Sequence, residues 1–136
     1  FPLTEVEPGE SFEVGGIQVD TLLAFHPVPC MSIRLPQLGF VYTADTGLTD
    51  ELVEFSRGAK LLLAEATYPT EEGRDFSRHG HMGGFEAGKL AHEAGVEQLV
   101  VTHLSDIDQA DETEGHVRKQ FDGTVCFAAP GQRYAL

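Results

Sequence analysis

The chain has few basic residues, few cysteines and no long apolar run, and each shortage excludes a class of protein. Nine Lys and Arg residues stand against 22 Asp and Glu, which gives a formal charge of −13 at pH 7. The negative electrostatic field of such a charge repels phosphate backbones and anionic membranes, so nucleic acid is not expected as a partner. No apolar run approaches the ~18 residues of a membrane span, and no basic-then-apolar leader opens the chain, so we expect a cytoplasmic protein.

The two cysteines, Cys30 and Cys126, lie far apart in apolar stretches. Two buried free thiols in a reducing cytosol are the favoured interpretation, and a disulfide stays open as the alternative. The rest of the composition, 41% hydrophobic and 23% charged over 136 residues, is that of one soluble globular domain.

The first third of the chain has the turn residues and alternation of antiparallel strands. We predict strands at 11–14, 17–25, 32–35 and 40–44, with Gly15-Gly16 as a hairpin turn. Apolar residues at helical spacing, or in continuous runs, then predict alternating elements: a helix from Leu48 to about Gly58, a strand at 61–64, a helix at 87–94 ended by Gly95, a strand at 99–102, a helix at about 111–120 and a strand at 124–128.

This order predicts an α/β (α+β) fold with one mixed sheet. Alternating strands and helices require crossover connections, and the β-rich start adds antiparallel strands to the same sheet. The helices are expected on one face. The opposite face would then be apolar and would need a cover.

Chemistry-bearing side chains follow the predicted parallel strands. Asp45 follows the first, Glu65 stands near the end of the second, and His103 follows the third. The loop before the 87–94 helix adds His79 and His81. Because open α/β sheets bind ligands beyond the carboxyl ends of their strands, these side chains are expected at one edge, where a carboxylate with several imidazoles suits a divalent metal.

Each candidate also has a structural interpretation. Asp45, in Ala-Asp-Thr-Gly, could also be a turn or helix-cap residue. His103 could be a hydrogen-bonded structural histidine, and Glu65 could be a structural hydrogen-bonding partner. We expect a structural or supporting role for His26, which follows an antiparallel strand. The remaining histidines are expected to be solvated or inert: His92 and His116.

Four segments occur in a characteristic order: FVYTADTG at 40–47, LLLAEATY at 61–68, His81-Met82 before the 87–94 helix, and LVVTHLS at 99–105. Together they resemble the metallo-β-lactamase superfamily and, within it, the ribonuclease Z-like and phosphodiesterase-like branch. The segments 121–125 and 129–132 resemble that family's closing strands. The resemblance covers essentially the whole chain.

The resemblance implies a four-layered αββα sandwich of two similar halves with two divalent metal ions at the edge between them, zinc first and manganese or iron as alternatives. Two such ions ~3.5–4 Å apart activate a bridging hydroxide and stabilise the attacking and leaving oxygens of an in-line displacement. By the same resemblance, Asp45 bridges both metals and His103 binds the second. His81 corresponds to a non-ligand histidine that assists at the phosphate or the leaving group, and Glu65 supports the site by hydrogen bonding.

One family motif, His-x-His-x-Asp-His, has no counterpart. In the segment His79-Gly80-His81-Met82-Gly83-Gly84, glycines stand where Asp and His are needed, and a polar loop rather than a buried strand comes before it. We interpret it as the later histidine motif rather than a degenerate ligand motif. Residues 1–136 are therefore expected to be the C-terminal half of such a domain, with an incomplete metal site and little activity alone.

Three hypotheses compete: half of a hydrolase whose N-terminal half lies elsewhere, a non-catalytic half-fold acting as a homodimer or assembly module, and an unrelated βαβ binding domain. Retention of Asp45 and His103 favours the first, because a discarded site need not keep its metal residues. No Lys/Arg cluster is present to grip transfer RNA. A small phosphodiester, for instance a cyclic nucleotide, or another small ester is expected as substrate, ahead of a β-lactam.

Overall fold

In the computed structural model, which describes residues 2–68 and 79–135, seven strands form one sheet whose order in space follows their order along the chain. The strands are β1 (Ser11–Val14), β2 (Ile17–Leu23), β3 (Met31–Leu35), β4 (Phe40–Tyr42), β5 (Leu61–Glu65), β6 (Gln98–Thr102) and β7 (Thr124–Phe127). The helices of the described ranges are α1 (Asp50–Ser56), α2 (Gly84–Ala94) and α3 (Ala110–Arg118), with short 3-10 turns at Pro36–Leu38 and Ile107–Gln109.

The sheet is mixed, as predicted. Strands β1 to β4 pair antiparallel, and β4 to β7 pair parallel, and in the described ranges each parallel crossover contains one α-helix. Two successive antiparallel steps restore the original direction, so β2 runs the same way as β4 and as the strands that follow it. The carboxyl ends of β2, β4, β5 and β6 therefore meet at one edge of the sheet.

The helices pack on one face of the sheet, which confirms the predicted α/β layering. Alternate strand residues supply the sheet side of the core: Val41, Leu62, Ala64, Leu99 and Val101. The helices contribute the other side: Leu52 and Val53 from α1, Ala87, Leu90, Ala91 and Ala94 from α2, and Val117 from α3. None of the helices in the described ranges has the length and hydropathy to cross a membrane.

The opposite face carries an apolar groove of about 410 Å³. Phe40, Leu63 and Val100 are among its lining residues, together with Tyr134 from the chain end. The Tyr134 hydroxyl donates to the carbonyl of Phe127 at 2.9 Å, which holds this last segment beside the sheet. The apolar second face expected from the sequence is thus present as a groove.

Most element boundaries differ from the prediction by one or two residues. Strand β2 ends at Leu23 rather than Phe25, because the His26 amide turns back to donate to the Ala24 carbonyl at 3.0 Å. Helix α2 begins at Gly84, three residues earlier than predicted, because the Glu86 carboxylate accepts the Gly83 amide at 3.0 Å and caps the first turn.

Both cysteines are free, as expected, but neither is fully buried. Cys30 lies just before β3, and Cys126 lies in β7, where its sulfur accepts from the Gln98 amide at 3.5 Å. The prediction of buried thiols is therefore wrong in degree, because one adjoins a loop and the other lies on the last strand of the sheet.

Helices α2 and α3 approach closely because two glycines face α3. A Cβ on Gly88 would stand 2.5 Å from the Val117 carbonyl oxygen, and one on Gly84 would stand 2.7 Å from the Thr113 carbonyl oxygen. Both obstacles are backbone atoms, which cannot rotate away.

We expect Gly88→Ala to lower the free energy of unfolding by about 1–3 kcal/mol, because the added methyl forces the two helices apart. Gly115→Ala is the matched control: Gly115 lies inside α3 with open space around it, so alanine there should raise stability by about 0.5–1 kcal/mol. Urea unfolding followed by circular dichroism measures both. Equal effects of the two substitutions would contradict the close-packing account.

Candidate metal centre

Three side chains predicted from the sequence meet at the carboxyl edge of the sheet. The imidazole Nε2 of His103 lies 3.5 Å from a carboxylate oxygen of Asp45. The ring of His81 lies 5.7 Å from that of His103, centroid to centroid. Asp45 and His103 are about one-third and two-fifths exposed, so both face solvent at this edge.

The backbone is strained where two strands deliver these side chains. Ala44, next to Asp45, has φ 54°, and His103 has φ 55°, and no other non-glycine residue of the described ranges has a positive φ. The left-handed region costs an L-residue roughly 1–2 kcal/mol. Because such conformations persist only where the surroundings enforce them, the two strand ends are held in defined positions.

Glu65, the last residue of β5, connects the segments of the site. Its carboxylate is 1% exposed. It accepts the Thr46 amide at 2.7 Å, the Thr67 amide at 3.2 Å and the Thr67 hydroxyl at 2.5 Å. The two Thr67 donors share Oε2, and the Nδ1 of His81 lies 2.9 Å from Oε1, the oxygen that accepts the Thr46 amide. Each carboxylate oxygen therefore has two donors, and Glu65 has the supporting geometry expected for it.

His81 is oriented by its Nδ1 atom. Since an ionised carboxylate only accepts, Nδ1 carries the hydrogen toward Glu65, and the Thr67 hydroxyl lies 3.2 Å away on the same side. The ring also makes an edge contact with Tyr68, at 5.9 Å between centroids. The second nitrogen, Nε2, is left to face the open edge.

His26, for which the sequence predicts a structural or supporting role rather than a place among the ligands, also belongs to this cluster. Ligand atoms of His26, Asp45 and His81 lie within 4.8 Å of one another. The rings of His26 and His81 contact edge to face at 4.9 Å. Gly80, with φ +74°, allows this approach, since a Cβ there would stand 2.9 Å from the His26 Cα atom. The strand directions would have predicted this position, because the end of β2 lies at the same edge as the end of β4.

The remaining histidines lie outside the cluster. His79 is exposed and is not among its ligand atoms, and His92 is exposed on α2, as predicted. His116, which was expected to be inert on a polar helix, is half-buried, and its Nδ1 has no hydrogen-bond partner among the described residues. It lies beside Gly84, at the contact of α3 with α2.

The donor set of the edge fits a divalent metal. A carboxylate offers two oxygens, and imidazoles offer nitrogen ligands of the kind that zinc, manganese and iron accept. Both His26 and His81 have Nδ1 within hydrogen-bonding distance of an oxygen, which is the usual support of a ligating or proton-transferring imidazole. Burial, and then the nearby Asp45 charge, raises the pKa of the Tyr42 phenol, so Tyr42 stays neutral beside the cluster.

We expect Glu65→Gln to lower the free energy of unfolding by about 1–3 kcal/mol. The reason is that the new side-chain NH₂ group would face hydrogen-bond donors at a position where a carboxylate oxygen accepts hydrogen bonds from them. Glu93→Gln is the matched control: Glu93 is about two-fifths exposed on α2, 3.8 Å from Lys89, and its replacement should change stability by less than about 0.5 kcal/mol.

Urea unfolding gives the free energies, and the amide resonances of Thr46 and Thr67 report whether the local bonds are lost. A Glu65→Gln protein with unchanged stability and unchanged resonances would contradict the role assigned to this carboxylate.

Comparison with known proteins gives a consistent result. The family model for the beta-lactamase superfamily domain matches residues 1–104. The chain is 32% identical over 127 residues to the "Probable metallo-hydrolase YhfI" of Bacillus subtilis (strain 168), covering 92% of this chain and 51% of that protein. It is 32% identical over 108 residues to ribonuclease Z of Thermobifida fusca (strain YX), covering 77% of this chain and 34% of that protein.

The fold matches as well. The crystal structure of the metallo-beta-lactamase fold protein YhfI from Bacillus subtilis superposes with a TM-score of 0.85 at 31% identity, covering 95% of this chain and 54% of that one. The chain thus spans about half, or less, of the length of the curated relatives it matches. The matched family model and the shared fold, together with the carboxylate and histidines at the sheet edge, show that the chain belongs to the metallo-β-lactamase superfamily.

Proposed function

We propose that residues 1–136 form the C-terminal half of a metal-dependent hydrolase that cleaves a small phosphodiester or another small ester. The observation that carries the proposal is the pairing of Asp45 with His103, 3.5 Å apart, beside a histidine that a buried carboxylate orients. That combination offers a metal-binding side and a proton-transfer side at one edge.

Asp45 and His103 are the proposed metal ligands. The Asp45 carboxylate has two oxygens and can bridge two metal ions, with zinc as the first candidate and manganese or iron as alternatives. When bound, two such ions would polarise the ester and lower the pKa of a water molecule. The strained backbone at Ala44 and His103 fixes both ligands before any ion arrives.

His81 is the proposed proton donor to the leaving group. Glu65 and Thr67 hold its Nδ1 side, so Nε2 is the nitrogen that would deliver a proton at the open edge. A departing alkoxide oxygen needs such a proton, and an imidazole within hydrogen-bonding reach supplies it. Glu65 acts through His81, as a positioning residue.

The proposed partner is the other half of the domain. Asp45 and His103 give two protein ligands, whereas catalytic zinc sites have three. The relatives that match are about twice as long, or longer, and the sheet face opposite the helices has an apolar groove. A second half packed on that face would cover the groove and bring further ligands to the edge.

The charge of the chain supports a small substrate. A net charge of −13 disfavours the salt-dependent phosphate contacts by which a protein grips a long nucleic acid. A phosphodiester or ester small enough to contact only the edge avoids most of that repulsion. Two free thiols are in keeping with a cytoplasmic location.

A non-catalytic dimerisation module is the second candidate, and the apolar groove favours it. In that case two copies would cover each other's sheet faces, and the histidines at the edge would serve packing alone. Light scattering gives the mass in solution. A stable homodimer that takes up no divalent metal would favour this candidate over the hydrolase.

We expect Asp45→Ala and His103→Ala to lower the metal content of the intact protein, comprising both halves, because each removes a direct ligand. His92→Ala, on the exposed side of α2, is the control and should leave metal content unchanged. Elemental analysis after dialysis measures the ions per chain. Full occupancy in either site variant would remove that residue from the ligand set.

We expect His81→Ala to lower kcat of the intact protein by roughly 10²–10⁴-fold while the metal content stays near that of the wild type. The reason is that His81 transfers a proton without holding the ions. Hydrolysis of a phosphodiester with an alkoxide leaving group, such as a cyclic nucleotide, measures the effect, and bis-p-nitrophenyl phosphate, whose p-nitrophenolate leaves without a proton, is the control substrate that should lose much less activity. A parallel loss of metal and activity would make His81 a ligand and end the proton-donor assignment.

A further inference from the structure

We propose that a pocket at the ends of β6 and β7 holds the non-leaving substituent of the substrate, and that this substituent is an uncharged group about the size of one ring. The inference rests on the proposed function, because it names part of the substrate of the same site. This cavity, the side pocket, has a volume of about 190 Å³ and is lined by residues 101–104, 107, 127 and 128.

The side pocket adjoins the proposed metal centre on the side away from His81. His103, a proposed metal ligand, is one of its lining residues. Along the edge of the sheet, Glu65 and its partner His81 come at the end of β5, His103 follows β6, and the pocket lies beside β7. Since His81 is the proposed proton donor to the leaving group, a substrate held at His103 turns its other substituent toward the side pocket.

Hydrogen bonds preform the walls of the side pocket. The Asp106 carboxylate accepts the Asp108 amide at 3.0 Å and so begins the 3-10 turn that carries Ile107. On the opposite side, the Ala128 amide donates to the Val101 carbonyl at 2.8 Å, which continues the pairing of β7 with β6. A pocket whose walls are fixed before binding avoids the cost of ordering them around the ligand.

The lining and the size of the side pocket suit a single apolar ring. Five of its seven described lining residues are apolar, among them Leu104, Phe127 and Ile107. The Ile107 side chain is 67% exposed, so a ligand in the pocket would remove apolar surface from water. An apolar cavity of about 150 Å³ holds one benzene ring. The slightly larger side pocket therefore has room for one ring and little more.

The charge around the side pocket selects against an anionic substituent. Asp106 and Asp108 flank Ile107, Asp111 and Glu112 follow, and no Lys or Arg stands between positions 103 and 114 of the sequence. A negative group in the pocket would lie near several carboxylates without a balancing cation. The substituent is therefore uncharged, and a nucleic acid, whose next phosphate would approach these carboxylates, is disfavoured.

The kinetic test uses three phosphodiesters that share p-nitrophenolate as the leaving group: methyl, phenyl and 4-carboxyphenyl p-nitrophenyl phosphate. With the intact protein, comprising both halves, we expect kcat/KM for the phenyl diester to exceed that for each of the others by roughly tenfold. The release of p-nitrophenolate measures all three reactions.

The matched variants are Ile107→Ser and Ile17→Ser. Ile107→Ser should lower the phenyl-to-methyl ratio of kcat/KM by roughly tenfold, because it removes apolar surface from the side pocket. Ile17→Ser, at the start of β2, should leave the ratio unchanged. The intrinsic reactivity of each diester is the same for every variant, so a change in the ratio reports the pocket. Circular dichroism checks that each variant is folded.

A binding test on the 136-residue chain needs no activity. The chain has three isoleucines, Ile17, Ile33 and Ile107, so labelling their δ1 methyl groups with ¹³C gives three signals. Ile107→Val identifies the signal of Ile107. We expect phenol to shift that signal and to leave the other two in place, and benzoate to shift it less than phenol does.

The two tests together separate this inference from the proposed function. Hydrolysis of the diesters with the same phenyl-to-methyl ratio in wild type and Ile107→Ser overturns the inference, as it would if a side chain of the other half filled the pocket, and leaves the hydrolase proposal standing. If the metal-loaded intact protein hydrolyses none of them while phenol still shifts the Ile107 signal, the hydrolase proposal fails and the preference of the pocket for an uncharged ring stands. If phenol shifts no signal and no diester reacts, both fail.

Discussion

The buried carboxylate of Glu65 is the interaction on which the candidate site depends. Burying a carboxylate costs several kcal/mol unless its oxygens are hydrogen-bonded. Here four donors from three different segments satisfy it: the turn after β4, the turn after β5 and the loop before α2. Since no donor can leave without exposing an unsatisfied acceptor, the carboxylate fixes the relative positions of Thr46, Thr67 and His81. The pair of residues that faces solvent, Asp45 and His103, is then held at the rim of this network.

Backbone strain adds a second constraint of the same kind. Ala44 and His103 adopt left-handed conformations at the ends of two strands that flank β5. The neighbouring residues are buried and bonded: the Ser32 hydroxyl donates to the Thr43 carbonyl at 2.6 Å, and the Thr43 hydroxyl accepts the Glu65 amide at 3.2 Å. The packed sheet thus enforces backbone conformations that are unfavourable for these two residues in isolation. As a result, the Asp45 carboxylate and the His103 imidazole approach each other across the end of β5.

Much of this arrangement could be predicted from the sequence, because hydrophobic periodicity identifies buried strands and parallel strands bring their carboxyl ends together. Asp45, Glu65 and His103 were found by that rule. His26 was given only a structural or supporting role because the rule was applied to the parallel strands alone, whereas β2 reaches the same edge by two antiparallel reversals. The early start of α2 was also missed, since two glycines precede its apolar face and only the Glu86 cap compensates for their low helix propensity. Side-chain capping and strand direction depend on contacts that periodicity does not encode.

The groove on one face of the sheet and the further ligands that the proposed metal centre would need have a common physical origin. An apolar sheet face needs cover, and here the helices cover one face while the other has an apolar groove bordered by the segment of Tyr134. The edge with Asp45 and the histidines adjoins both faces, so whatever covers the groove also comes close to the metal-binding side chains. Under the proposed function, cover and metal binding would be linked: an ion shared between this chain and its cover would stabilise their contact, and the contact would complete the coordination of the ion. With 22 acidic residues against nine basic ones, the chain attracts a cation to this edge and repels a second copy of itself. The charge therefore favours a cover of different composition, such as the proposed second half of the domain, over self-association.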